Sequence, residues 1–128
     1  MNTRTVLLCD DNKDLGVVFK IILKKLNLRL ETAFNGKEAI TYLHSFPQTG
    51  LVLLDLQMPQ MGGVEFLKYR KNDVALSKIP VLLLSGNVDV SEIAKKYDIP
   101  DFIEKGRGDD NFFMNFQSVL EKYFPPTL

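Results

Sequence analysis

Three short runs, Val6-Leu7-Leu8-Cys9, Leu51-Val52-Leu53-Leu54 and Val81-Leu82-Leu83-Leu84, are apolar at every position. A strand with one wet face alternates apolar and polar residues. A strand that never alternates is buried on both faces, the condition of an interior strand in a parallel sheet. Successive parallel strands need long crossovers, usually helices, and the segments between the runs have helical spacing. Leu15, Val18, Phe19, Ile22 and Leu26 recur at that spacing and stop at Asn27. A second strand is predicted over 28–33, followed by a turn signal at Asn35-Gly36 and a helix carrying Ala39, Ile40, Leu43 and His44. After a break over 47–50 the third strand runs to Asp55. Met58-Pro59-Gln60-Met61-Gly62-Gly63 forms a loop before a helix over 64–71. The fourth strand ends at Ser85-Gly86-Asn87, a short helix spans 91–97, and a weaker strand spans 101–104. The last helix sets Phe112, Phe116, Leu120 and Phe124 four residues apart. Five such units predict a doubly wound α/β domain with helices on both faces of a five-stranded parallel sheet.

The chain has 128 residues, the size of one domain, so 1–128 reads as a single unit with its core over about 5–124. Residues 125–128 read as a tail or a linker. Lys plus Arg equals Asp plus Glu at 16 each. That balance gives no field favouring nucleic acid or an anionic membrane, and no apolar stretch approaches the roughly 18 residues of a membrane span. A single cysteine excludes an intramolecular disulfide framework and fits a reducing cytoplasm. Cys9, closing an apolar run, reads as a packing thiol rather than a nucleophile. His44, the only histidine, reads as a surface or packing residue.

The chemistry-bearing residues sit at strand ends. In an open parallel sheet, ligands bind beyond the carboxyl ends of the strands, where the strand order reverses. Asp10 and Asp11 follow the first strand, Asp55 ends the third, Ser85 ends the fourth and Lys105 follows the fifth. If the first and third strands are neighbours, all five side chains converge. Three close carboxylates repel each other and are tolerable mainly around a cation. With oxygen donors and no His or Cys cluster, that cation is a hard one, suiting magnesium and not zinc. A carboxylate so placed is a nucleophile toward phosphorus, with a hydroxyl and an ammonium to align and neutralise the phosphoryl oxygens. Each residue has a plainer reading: Asp10-Asp11 as a helix cap, Ser85 as a turn residue, Lys105 as a solvated cation. Only their joint placement favours a site.

The same residues carry a resemblance. Asp10-Asp11, Leu54-Asp55-Leu56-Gln57-Met58-Pro59 with Gly62-Gly63, Ser85-Gly86, and Phe102 three residues before Lys105 resemble the receiver domain of two-component response regulators, of the single-domain chemotaxis type. The resemblance extends from Val6 to about Tyr123 and implies the flavodoxin-like strand order 2-1-3-4-5. It implies Asp55 as the phosphoacceptor. Magnesium, with manganese as the alternative, would be bound by Asp10, Asp11, Asp55 and the backbone carbonyl of Gln57. It further implies that Ser85 and Lys105 contact the phosphoryl group and that Phe102 is an aromatic switch moving inward with Ser85. Phe102 also has the reading of a plain core aromatic. Two positions depart from the pattern: Gly106 stands where Pro usually follows the Lys, and Gly86 where Ala is more usual.

The implied function is a cytoplasmic phosphoacceptor module, not a turnover enzyme. It would take phosphate from a histidine kinase or histidine phosphotransfer protein and switch the face formed by the fourth helix, fifth strand and fifth helix. It would act on a protein target, as a monomer or weak dimer. An interaction-only receiver is the alternative, although it would usually lack Asp55, an acidic residue or Lys105. A haloacid-dehalogenase-type phosphatase is disfavoured, because Asn12 stands where that class has a second Asp, and 128 residues leave no room for its cap. Val88, Val90, Ile93 and Tyr97 form the candidate docking surface, with a core role as the other reading.

Overall fold

Strands and helices alternate along the chain in the computed structural model, which describes residues 4–10, 13–58, 61–86, 90–104 and 111–125. The first half comprises β1 (Thr5–Cys9), α1 (Lys13–Lys25), β2 (Arg29–Ala33), α2 (Gly36–Ser45) and β3 (Leu51–Asp55). The second comprises α3 (Gly63–Lys71), β4 (Val81–Ser85), α4 (Val90–Lys96), β5 (Asp101–Glu104) and α5 (Asn111–Tyr123), with a 3-10 turn over Leu76–Lys78. The strands form one parallel sheet in the order β2-β1-β3-β4-β5. The expected architecture and strand order therefore hold. The three all-apolar runs are the three interior strands, buried at every position. The mixed strands β2 and β5 are the edges.

The sheet separates two apolar layers. One packs Leu7, Val52, Leu54, Leu83, Phe66 and Leu67 beneath α2, α3 and α4. The other packs Val6, Leu8, Leu51, Leu53, Phe19 and Phe116 beneath α1 and α5, with the rings of Phe19 and Phe116 tilted at a centroid distance of 4.6 Å. Along α1 the buried stripe differs from the expected one. Phe19 and Leu23 are fully buried, whereas Val18 is exposed together with Val17 and Ile21. A helix turns about 100° per residue, so a stripe centred on Phe19 and Leu23 carries position 18 to the rim. Among the described residues of α5, only Phe116 and Leu120 are fully buried. A strict four-residue spacing drifts off a 3.6-residue helix, which leaves Phe112 and Phe124 at the margins beside Val119 and Tyr123.

Two helix exits use a left-handed residue. Asn27 has φ 57° and Asp98 φ 56°. After each, the next amide reaches back five residues: Leu28 N–H to the Leu23 carbonyl at 2.9 Å and Ile99 N–H to the Ala94 carbonyl at 2.8 Å. Asn35-Gly36 proves to be a helix start rather than a free turn. Asn35 Oδ1 accepts the Glu38 N–H at 2.9 Å, capping α2. At the other end of α2, His44 is exposed and its Nε2 lies 2.7 Å from Asp73 Oδ2, which agrees with a surface role. The proposed docking residues are corrected. Val90 is buried, Ile93 and Tyr97 pack on the core, and Val88 lies outside the described residues.

Candidate functional site

Asp10, Asp55 and Ser85 are polar, yet they are only 3%, 6% and 1% exposed. All three stand at the carboxyl edge of the sheet, where the buried apolar runs stop. The register places them. Cys9 pairs with Leu54, so Asp10 and Asp55 follow at the same level on neighbouring strands. Asp55 pairs with Leu84, which sets Ser85 one residue further out. Side chains alternate along a strand. Asp10 is in phase with Val6 and Leu8, and Asp55 with Leu51 and Leu53, all four in the layer beneath α1 and α5. The two carboxylates therefore leave the sheet toward the same face.

The backbone after Asp55 is shaped around it. The Gln57 N–H donates to Asp55 Oδ1 at 3.1 Å, and the Leu56 N–H reaches across to the Leu84 carbonyl at 3.2 Å. The Gly36 N–H donates to the Met61 carbonyl at 2.8 Å, tying the start of α2 to the loop beyond the site. Gly63 has no room for a side chain: a Cβ there would lie 2.7 Å from the Asp55 carbonyl oxygen and 2.7 Å from Leu56 Cα. Gly36 is tight in a softer way, since a Cβ there would lie 2.5 Å from Met61 Cγ, a side chain that can shift, and 3.0 Å from the Met61 carbonyl oxygen. Gly62 is different. Its φ of −76° is ordinary and its nearest neighbour would be 3.7 Å away. The glycines thus serve close approach at 36 and 63, not an unusual backbone angle at 62. The tie between Gly36 and Met61 was not legible in the sequence, where Asn35-Gly36 signals only a turn.

Cys9, beside Asp10, is fully buried; burial pushes its thiol up, with Asp10 and Glu38 adding to the shift. It is a protonated packing group, as expected. Phe102 is 41% exposed on the edge strand β5, paired with Leu83, so the core-aromatic reading is overturned. Asp11 and Lys105, together with Asn87 and Gly106, lie outside the described residues. Among the described residues, no three His, Cys, Asp or Glu side chains form a metal-holding group. Asp10 and Asp55 are two oxygen donors with no imidazole beside them, a donor chemistry that fits a hard divalent cation once a third oxygen ligand joins.

A doubly wound sheet with buried carboxylates at its central carboxyl edge defines a class, and comparison with known proteins names it. The family model of the response regulator receiver domain matches residues 6–115, and the chain belongs to that family. It is 32% identical over 117 residues to chemotaxis protein CheV1 of Helicobacter pylori (strain ATCC 700392 / 26695), covering 85% of this chain and 36% of that protein. The chain spans 36% to 54% of the length of the first curated relatives it matches. Among solved structures, it superposes on the N-terminal domain of a response regulator receiver protein from Methanoculleus marisnigri JR1. That match has a TM-score of 0.72 and 32% identity over 96% of this chain and 98% of that one. The Mn(2+)-bound form of response regulator Rcp1 shares the fold, with a TM-score of 0.81 at 21% identity over 98% of this chain and 97% of that one. No helix among the described residues is long and apolar enough to cross a membrane.

Proposed function

We propose that this receiver domain accepts a phosphoryl group on Asp55 from a phosphohistidine donor, a histidine kinase or a histidine phosphotransfer protein, in the cytoplasm. The burial of three polar side chains at adjacent strand ends carries the reading: Asp10, Asp55 and Ser85 are each at most 6% exposed. Burying carboxylates close together is unfavourable unless hydrogen bonds and positive charge compensate them, which makes the place one suited to a cation and a phosphoryl group.

In the reaction, a carboxylate oxygen of Asp55 attacks phosphorus in line with the donor nitrogen. The P–N bond breaks as the P–O bond forms, and the electron pair returns to the donor imidazole. The Gln57 amide, on Asp55 Oδ1 at 3.1 Å, fixes the rotation of the carboxylate before attack. Asp10, Asp11, Asp55 and the Gln57 carbonyl would hold a Mg2+ or Mn2+ ion, which would supply neutralising charge for the phosphoryl oxygens. Manganese was bound in the related Rcp1 structure. Ser85 donates its hydroxyl to a phosphoryl oxygen and Lys105 pairs with another. As Ser85 is drawn toward the phosphate it vacates space at the end of β4, and Phe102, outward in this state, turns in to fill it. The resulting change on the α4–β5–α5 face is a two-state shift biased by the new bonds.

The test is direct. With magnesium and acetyl phosphate, the intact mass should rise by one phosphoryl group, and Asp55→Asn should abolish the gain. An adduct that persists in Asp55→Asn sinks the assignment. No adduct and no response to beryllofluoride favours an interaction-only receiver, and sustained turnover of phosphate esters favours a phosphatase.

A further inference from the structure

The outer edge of β2 is open, and its charges are arranged to meet themselves. The Arg29 N–H donates to the Arg4 carbonyl at 2.9 Å and the Ala33 carbonyl accepts the Asp10 N–H at 3.1 Å, so the odd-numbered residues of β2 turn their backbone groups toward β1. Strand alternation then directs the N–H and C=O of Leu30 and Thr32 outward. Thr32 is exposed and Leu30 half-buried. On the α1 side a cleft of about 290 Å³ runs along Leu30, with Gly16, Val17 and Phe34 in its walls. On the α2 side clefts of about 300 Å³ and 570 Å³ flank the edge, sharing Tyr42 and Phe46. Val17, Phe34 and Phe46 are 61%, 44% and 47% exposed, a large apolar share for a surface beside unpaired strand atoms.

We infer that β2 pairs antiparallel with β2 of a second copy of this chain, joining two sheets into one across a two-fold axis at Leu30. The charges choose this occupant and this register. Arg29 and Glu31 project on the same face, 2.9 Å apart, with side chains 70% and 35% exposed. With Leu30 opposite its own copy, Arg29 faces Glu31 of the second copy and Glu31 faces Arg29. These are the closely spaced, non-hydrogen-bonded positions of an antiparallel pair. Shifting by one step in either direction sets Arg29 against Arg29 or Glu31 against Glu31. The two Leu30 residues exchange two backbone hydrogen bonds, and each Thr32 N–H meets the Leu28 carbonyl of the other copy. The Leu30 side chains enter the Val17–Phe34 clefts, which places the interface on an isologous axis.

Sedimentation velocity on the whole chain, from micromolar to about 1 mM, tests this, because a short interface of this kind is weak. The wild type should shift toward a dimer and no further. Arg29→Glu and Glu31→Arg should each remain monomeric throughout, with unchanged circular dichroism. An equimolar mixture of the two should recover the association, since the acidic pair of one variant then meets the basic pair of the other across the axis. The double variant R29E/E31R should recover it alone. Amide exchange at Leu30 and Thr32 should slow as wild-type concentration rises. A wild type that stays monomeric, single reversals that associate as well as wild type, or a mixture that fails to associate each overturns the proposal. In the first case the edge is left to a foreign strand.

Discussion

At Gly63 one methyl group would reach 2.7 Å from the backbone of Asp55, the proposed phosphoacceptor, whereas at Gly62 the same group would meet nothing nearer than 3.7 Å. Adjacent glycines thus differ in what they permit. Gly62→Ala should leave both stability and phosphorylation near wild type. Gly63→Ala should cost about 1–3 kcal/mol by overpacking and should slow acetyl-phosphate labelling of Asp55, because the carbonyl it displaces belongs to that residue. Urea denaturation and intact mass separate the two. Phe102 offers a second residue-scale reading. The chain contains no tryptophan, so Phe102→Trp is a sole reporter. Its emission should start solvent-like, in keeping with 41% exposure of the phenylalanine, and shift to the blue with beryllofluoride and magnesium. An unshifted spectrum would remove Phe102 from the proposed switch.

Among the elements, α5 is tied to the edge strand β5 by a polar clasp. Tyr123 donates its hydroxyl to Asp101 Oδ2, and Lys122 Nζ lies 3.0 Å from the same oxygen. Burial, and then the hydrogen bond and charge of Asp101, raise the phenol of Tyr123 above its ordinary range. A raised folded-state value means that the clasp's contribution is complete below the unfolded phenol's value of about 10 and is lost as pH rises beyond it. Tyr123→Phe should therefore cost about 1–2 kcal/mol at neutral pH and flatten the alkaline loss of stability, as read from melts between pH 8 and about 11. The exit of α4 makes a separate prediction. Asp98 holds a left-handed conformation at φ 56° and sets a negative charge at a helix C-terminus. Asp98→Gly relieves both and should stabilise the domain by about 1 kcal/mol, seen as a higher Tm.

On the scale of the whole molecule, the sheet divides the interior into two layers that share the same interior strands. In the layer beneath α1 and α5, Phe19 ties α1 to α5 through ring centroids 4.6 Å from Phe116 and 6.1 Å from Phe112. Because β1, β3 and β4 contribute to both layers, damage to one should not unfold alone. Phe19→Ala should destabilise by about 3–5 kcal/mol, a large part of a domain's usual 5–15, with the urea m-value unchanged. A lowered m-value or a biphasic transition would mean that the layers unfold separately.

Much of this was written in the chain order itself. An unbroken apolar run can be satisfied only by burial on both faces, so the three interior strands, the parallel sheet and the helices between them were legible at the level of residue type. So was the concentration of acids at strand ends, since β1 stops just before Asp10 and β3 ends on Asp55. Helix faces were read less well: Val18 looked buried because spacing alone does not say where a stripe is centred, and only the rings of α5 against Phe19 decide it. The role of Asn35-Gly36 was hidden for the same reason, because its partner Met61 is 25 residues away. The sequence by itself determined which residues must be buried and which chemistry is available, through hydrophobicity and charge that every residue carries wherever it lies. Only the tertiary structure decided the register that sets Asp10 level with Asp55, the exposure of Phe102 and the open edge at Leu30. Those depend on distances between segments far apart in the chain, which packing fixes and residue type does not.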